Sequence, residues 1–133
     1  MTDYEALQNV KASYCRAVDA LPDDRAHAMA DLRSLMMDAV VADYGSGAIN
    51  GAEDVIQFLA EQIVGGSEWM LHMVHSPCIT VTDAAAEGLW TVQVQMKRRG
   101  TGALDSVIGR YADQFCRQDG LWKFARIEFR RCE

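Results

Sequence analysis

The hydrophobic period of this chain changes most sharply at Gly65-Gly66, and nothing else in the sequence constrains the fold as strongly. Before that point apolar residues recur at spacings of three and four. Tyr4, Leu7, Val10, Tyr14 and Val18 mark residues 3–20, Met29, Leu32 and Met36 a second segment, and Val55, Phe58, Leu59 and Ile63 a third. That spacing predicts amphipathic helices. From Trp69 onward the character is that of strands. Trp90, Val92, Val94 and Met96 alternate with Thr91, Gln93, Gln95 and Lys97, the period of a half-buried strand. One short run, Ala39 to Tyr44, reads as a strand within the helical half and is turned by Gly45-Ser46-Gly47.

Boundary signals refine this outline. The first helix stops before Leu21-Pro22. Pro22 suits the first position of the second helix, with Asp23 and Asp24 at its positive end. Asn50 reads as the N-cap of the third helix with Glu53 three residues on, and Gly65-Gly66 ends it. The strands are expected at Trp69–Val81, Glu87–Arg99, Val107–Arg117 and Leu121–Arg130. Thr82-Asp83-Ala84 and Gly100-Thr101-Gly102 are the intervening turns, and Gln118-Asp119-Gly120 is a hairpin signal. Helices followed by a meander of long strands predict an α+β fold, a cone in which a curved antiparallel sheet wraps around the N-terminal helices. The pocket inside such a cone is its natural ligand site. With 133 residues, half of them apolar, the chain reads as one domain, 1–133.

Charge and composition exclude several roles. A net charge of -6 argues against nucleic acid and anionic membrane as partners. No apolar run approaches the roughly 20 residues of a membrane span, and the acidic start Met-Thr-Asp-Tyr-Glu has no signal-peptide pattern, so a cytoplasmic protein is expected. Cys15, Cys78, Cys116 and Cys132 form no Cys-x-x-Cys pair and are read as small core residues.

The stretch Trp69-Met70-Leu71-His72-Met73-Val74-His75-Ser76-Pro77 places two of the three histidines in apolar surroundings. A buried imidazole needs a partner, because an unsatisfied polar group costs about 1–3 kcal/mol. His72 and His75 are an odd number apart, so a strand sends their rings to opposite faces. The pair is therefore a poor metal site, and no metal is expected. His75 is left to meet a helix, an interface or solvent, and His27 is expected to be exposed. Asp19 lies in the last turn of the first helix, where the dipole disfavours a negative charge; it either caps the next helix or answers another group. Tyr111 and Asp113 share a strand face. Asp113 is either a second carboxylate in the pocket or one half of an ion pair or cross-strand hydrogen bond. Trp90, Val92, Val94 and Met96 line a cavity or form core. Arg126, Arg130 and Arg131 read as a solvated or interface edge.

Several pieces resemble one family. They are Tyr14-Cys15-Arg16-Ala17-Val18-Asp19, Ala42-Asp43-Tyr44-Gly45, Gly51, His72-Met73-Val74-His75-Ser76-Pro77, Gly109-Arg110-Tyr111-Ala112-Asp113 and Asp119-Gly120-Leu121-Trp122-Lys123-Phe124. In this order they are similar to the SnoaL-like group of the superfamily that includes scytalone dehydratase, bile-acid 7α-dehydratase, lindane dehydrochlorinase and ketosteroid isomerase. The resemblance implies the nuclear-transport-factor-type cone and a dyad of Asp19 with His72. Tyr14 matches a tyrosine of the bile-acid enzyme and Tyr44 a pocket tyrosine of scytalone dehydratase. Met96 stands where scytalone dehydratase has a second pocket histidine, which argues against scytalone as substrate.

These residues suit proton abstraction followed by loss of a leaving group. His72 is the expected base, since an imidazole titrates near neutral pH, and Asp19 orients it and stabilises the imidazolium. Tyr44 and Tyr14 are expected to polarise a carbonyl or protonate a departing hydroxyl. Trp90, Met96, Tyr111 and Asp113 are the candidate substrate contacts. No cofactor is called for. The expected activity is that of a lyase or isomerase of the dehydratase type on a hydrophobic, oxygenated small molecule. The alternatives are a binding or assembly module without chemistry, or a cyclase or hydrolase using the same pocket. The resemblance also implies a homo-oligomer, dimer or trimer.

Overall fold

In the computed structural model, which describes Met1–Glu133, the first helix, α1, runs Asp3–Ala20. Thr2 caps it through the Glu5 backbone N–H while Glu5 reaches back to the Thr2 N–H, a reciprocal capping box. Its buried stripe is Leu7, Lys11, Tyr14, Cys15, Ala17 and Val18. Tyr4, expected on that stripe, is exposed. The second helix, α2, covers Arg25–Ser34 and begins three residues later than Pro22 suggested. Asp24 is its N-cap and accepts from the His27 N–H. The third, α3, covers Ala52–Gly66. Its N-cap is Gly51, at φ 92°, and no side chain caps it. Asn50, the expected cap, instead ends a short strand.

Six strands form one curved sheet: β1 (Met36–Asp43), β2 (Ala48–Asn50), β3 (Ser67–Thr82), β4 (Ala85–Arg98), β5 (Leu104–Gln118) and β6 (Leu121–Arg131), in the order β2-β1-β6-β5-β4-β3. The long strands β3 to β6 are the expected antiparallel meander. The β5–β6 turn places Asp119 and Gly120 at φ 52° and 78°, the left-handed pair that a two-residue hairpin requires. One pairing departs from the meander: β1 lies parallel to β6, with Ala42 opposite Ile127. A strand between two helices cannot announce in its own sequence which distant strand it will join.

The helices lie against the concave face, where the side chains at positions 86, 90, 92, 94 and 96 of β4 and 111, 113 and 115 of β5 are buried. Three irregularities shape that face. Glu68 is an extra residue between paired Ser67 and Trp69, and the register slips again between His75 and Cys78, where Ser76 adopts φ 51°. On β6, Ala125 is the extra residue between Phe124 and Arg126. A one-residue bulge reverses the alternation beyond it, so Trp122 and Phe124 face inward before it and Ile127 and Phe129 after it. The cysteines divide. Cys15 is buried, Cys116 half-buried, and Cys78 and Cys132 are exposed, so the core reading holds for Cys15 and fails for the two on the surface. No helix is long and apolar enough to cross a membrane.

Candidate active site

β3 is an edge strand, and the outer edge of such a strand leaves backbone N–H groups unpaired. α1 runs along it and ends so that Asp19 meets His72. The Asp19 Oδ2 accepts the His72 backbone N–H at 3.0 Å, and Oδ1 lies 2.7 Å from His72 Nδ1. One carboxylate thus satisfies the strand edge and the ring together. Both side chains are largely enclosed. Because a carboxylate can only accept, Nδ1 carries the proton in this contact, and in the neutral ring Nε2 is left as the basic nitrogen.

His72 lines a cavity of about 250 Å³ inside the cone. Its other walls come from α1 (Tyr14, Val18), the residue after β1 (Tyr44), α3 (Phe58, Leu59, Gln62, Ile63), β3 (Met70), β4 (Val94, Met96), β5 (Val107, Tyr111) and β6 (Phe129). No Asp, Glu, Lys or Arg side chain lines that wall. A wider depression of about 420 Å³ lies on the outward side of β4 to β6, among Thr91, Arg110, Glu128 and Arg130. Neither Asp19 nor His72 lines it.

Among the lining residues, the Tyr14 and Tyr44 hydroxyls are 2.7 Å apart. Tyr44 is aimed by the turn that follows β1, in which the Gly45 N–H donates to Asp43 Oδ1 at 2.8 Å, and by its ring, stacked on Phe58 at 5.8 Å and 9°. Burial pushes the phenols of Tyr14, Tyr44 and Tyr111 above the ordinary tyrosine range; repulsion from neighbouring ionised phenols adds to it at Tyr14 and Tyr111, whereas the hydrogen bond with Tyr14 pulls part of it back at Tyr44. They are neutral donors at any physiological pH. Burial likewise raises the Cys15 thiol to about 11.

The structure brings six of the expected site residues together: Asp19, His72, Tyr14, Tyr44, Met96 and Tyr111. It removes two. Trp90 lies four residues before Val94 on β4, beside Gly88 and Phe115, and is core. Asp113 points away from the cavity to Lys11, with Oδ2 2.9 Å from Nζ. This is the ion-pair alternative, between strand and helix. Burial raises the Asp113 carboxyl, and Lys11 beside it pulls part of that back. His75 is exposed and shares no face with His72; its carbonyl accepts from the Thr91 hydroxyl. His27 is exposed beside Asp31.

The sequence reading missed Phe58, Gln62, Met70 and Phe129 as cavity residues. Phe58 stood out only as part of a helical stripe. Phe129 reaches the cavity only because of the bulge at Ala125, which alternation cannot foresee.

Three helices packed on an open, curved six-stranded sheet with a cavity between them make up the nuclear-transport-factor-2-like α+β cone. The chain belongs to the SnoaL-like domain family, whose model it matches over residues 1–128. Among solved structures, it is similar to a candidate scytalone dehydratase from Novosphingobium aromaticivorans DSM 12444 (19% identity, 98% of this chain and 85% of that one, TM-score 0.86). It is similar also to a hexachlorocyclohexane dehydrochlorinase, LinA-type3, from Novosphingobium barchaimii LL02 (19%, 98% and 86%, TM-score 0.82). A third is a nuclear transport factor 2-like superfamily protein from Salmonella enterica serovar Typhimurium LT2 (13%, 97% and 90%, TM-score 0.86). At these identities the likeness is one of fold. No curated protein matches the sequence significantly.

Proposed function

We propose that the protein is a cofactor-independent lyase or isomerase of the dehydratase type. His72 Nε2 removes a proton from a carbon next to a carbonyl. Asp19 keeps the proton of the ring on Nδ1 and stabilises the imidazolium as it forms. The Tyr14–Tyr44 pair donates to the oxygen that gains charge, or to the hydroxyl that departs. The observation that carries this reading is the double grip of Asp19 on His72 at the wall of an apolar cavity that also holds two neutral phenol donors.

The wall also bears on the substrate. With no permanently charged group to meet an ionic ligand, a neutral molecule is favoured. A volume of about 250 Å³ falls below the roughly 300–1,000 Å³ of drug-sized sites, which suits a molecule of one or two rings. The dehydratase and dehydrochlorinase names among the structural neighbours agree with elimination chemistry. The test is to incubate the protein in D₂O with uncharged cyclic ketones and β-hydroxy ketones and follow loss of the α-proton and of water by NMR. The parent should catalyse exchange or elimination on part of the panel, and His72→Ala, still folded, should not. Equal rates in the two proteins would refute the role of His72. Tight binding by both with no exchange by either would leave a binding module.

A further inference from the structure

Behind the cavity wall lies a charged layer that the chemistry above does not use. Lys11 and Asp113 are both fully buried, and Nζ is 2.9 Å from Oδ2. Lys11 stands on α1 one turn before Tyr14, and Asp113 on β5 two residues after Tyr111. The pair therefore joins the two elements that carry those tyrosines. Lys11 Nζ lies 3.4 Å from the Tyr111 ring centroid and 4.7 Å from that of Tyr14. The two rings meet edge to face at 6.2 Å, and the Tyr14 hydroxyl continues to Tyr44.

Helix-to-sheet packing alone gives no reason for two buried charges, because apolar side chains of similar volume often do the same at no loss of stability. An ammonium on a ring face, by contrast, is attracted to the negative face of the aromatic system, more so when desolvated, and it fixes the ring it covers. We propose that Lys11 and Asp113 are positioning residues of the active site. Asp113 anchors the ammonium of Lys11, which clamps the face of Tyr111 and, beside it, Tyr14, so that the Tyr14–Tyr44 hydroxyl pair is held toward the cavity. The inference rests on the reading of that cavity as an active site. The Asp113 charge is also felt at the phenols of Tyr44 and Tyr111, where it opposes ionisation.

The test compares the full chain, Lys11→Arg and the double variant Lys11→Met/Asp113→Leu, which removes both charges without stranding either. Each is labelled with ¹³Cζ-tyrosine. In the double variant the urea midpoint should equal or exceed that of the parent, while the Tyr14 and Tyr111 resonances move and that of exposed Tyr4 stays. On any ketone the parent turns over, kcat should fall about tenfold or more, as displaced catalytic groups generally cause, with KM little changed. Lys11→Arg, which keeps a cation, should retain the parent's resonances and most of its kcat. Unmoved Tyr14 and Tyr111 resonances in a folded double variant would overturn the proposal, as would loss of folding, which would make the pair purely structural. The resonances require no turnover, so failure here is separable from failure of His72 as base.

Discussion

Asp19 holds His72 through both carboxylate oxygens at once, one on the ring Nδ1 at 2.7 Å and one on the backbone N–H at 3.0 Å. An amide cannot imitate this. In Asp19→Asn, if the amide oxygen keeps the backbone N–H, the NH₂ group faces Nδ1, and the ring must move its proton to Nε2 to accept it. If the amide is reversed, two donors oppose each other at the backbone. Asp19→Asn should therefore remain folded, with a loss of about 1–3 kcal/mol. Proton-abstraction activity should fall by about 10²–10⁴, the usual worth of a positioned base. ¹⁵N NMR of the neutral imidazole gives the direct check: Nδ1–H in the parent, Nε2–H in the variant. An unchanged tautomer would show that Asp19 does not control the ring.

The phenols give a pH expectation. The chain has four tyrosines, of which only Tyr4 is exposed. Tyr14, Tyr44 and Tyr111 hold their protons more tightly folded than unfolded. The folded state then binds more protons than the unfolded chain above the unfolded tyrosine value near 10, so stability falls as pH rises beyond it. In a titration followed by tyrosinate absorbance, Tyr14, Tyr44 and Tyr111 should ionise together above the ordinary tyrosine range, with the loss of the native circular dichroism. Four independent titrations at the ordinary value would contradict the buried cluster.

Much of this site was legible because two of its residues break local rules. Asp19 sits at the wrong end of a helix dipole, and His72 interrupts an apolar strand. Each anomaly asks for a partner, and each proves to be the other's. The same logic extends to Lys11 and Asp113. Lys11 lies between Leu7 and Tyr14 on the apolar stripe of α1, and Asp113 between Tyr111 and Phe115 on the inward face of β5. Opposite charges on two buried faces imply each other. What local pattern could not supply was register. The parallel β1–β6 pairing and the bulge that turns Phe129 inward depend on strands distant in sequence.

The cysteines provide a check on the packing of α1 that needs no ligand. Cys78 and Cys132 are exposed, whereas Cys15 is buried and its thiol raised to about 11. Since the thiolate is the reactive form, a maleimide at pH 7.5 should label Cys78 and Cys132 rapidly and leave Cys15 unmodified until the protein is unfolded. Peptide mapping by mass spectrometry reads this directly. The retained Cys15 proton has the same sign as the phenols: between its ordinary value of 9.0 and about 11, rising pH draws the equilibrium toward the unfolded chain. Rapid native labelling of Cys15 would mean that α1 does not pack against the sheet as described.

Gly109 tests the cavity wall from behind. It lies on β5 opposite Arg131, and a Cβ there would sit 2.6 Å from the Phe129 ring and 2.6 Å from the Arg130 carbonyl oxygen. Its backbone dihedrals are ordinary for a strand, so the need for glycine is one of space. The Phe129 ring occupies the room a side chain would take, and from there it closes the cavity and touches Tyr111 at 5.3 Å between centroids. Gly109→Ala must displace Phe129 or part β5 from β6. Overpacking of this kind typically costs about 1–3 kcal/mol, which should appear as a lower urea midpoint at unchanged slope. Displacing Phe129 should also weaken binding of any ketone the parent accepts. In Gly109→Ala/Phe129→Leu the clash is relieved, so stability should recover in part while the altered wall keeps the binding defect. If Gly109→Ala unfolds at the parent's urea midpoint, the close approach of Phe129 to β5 is absent in solution.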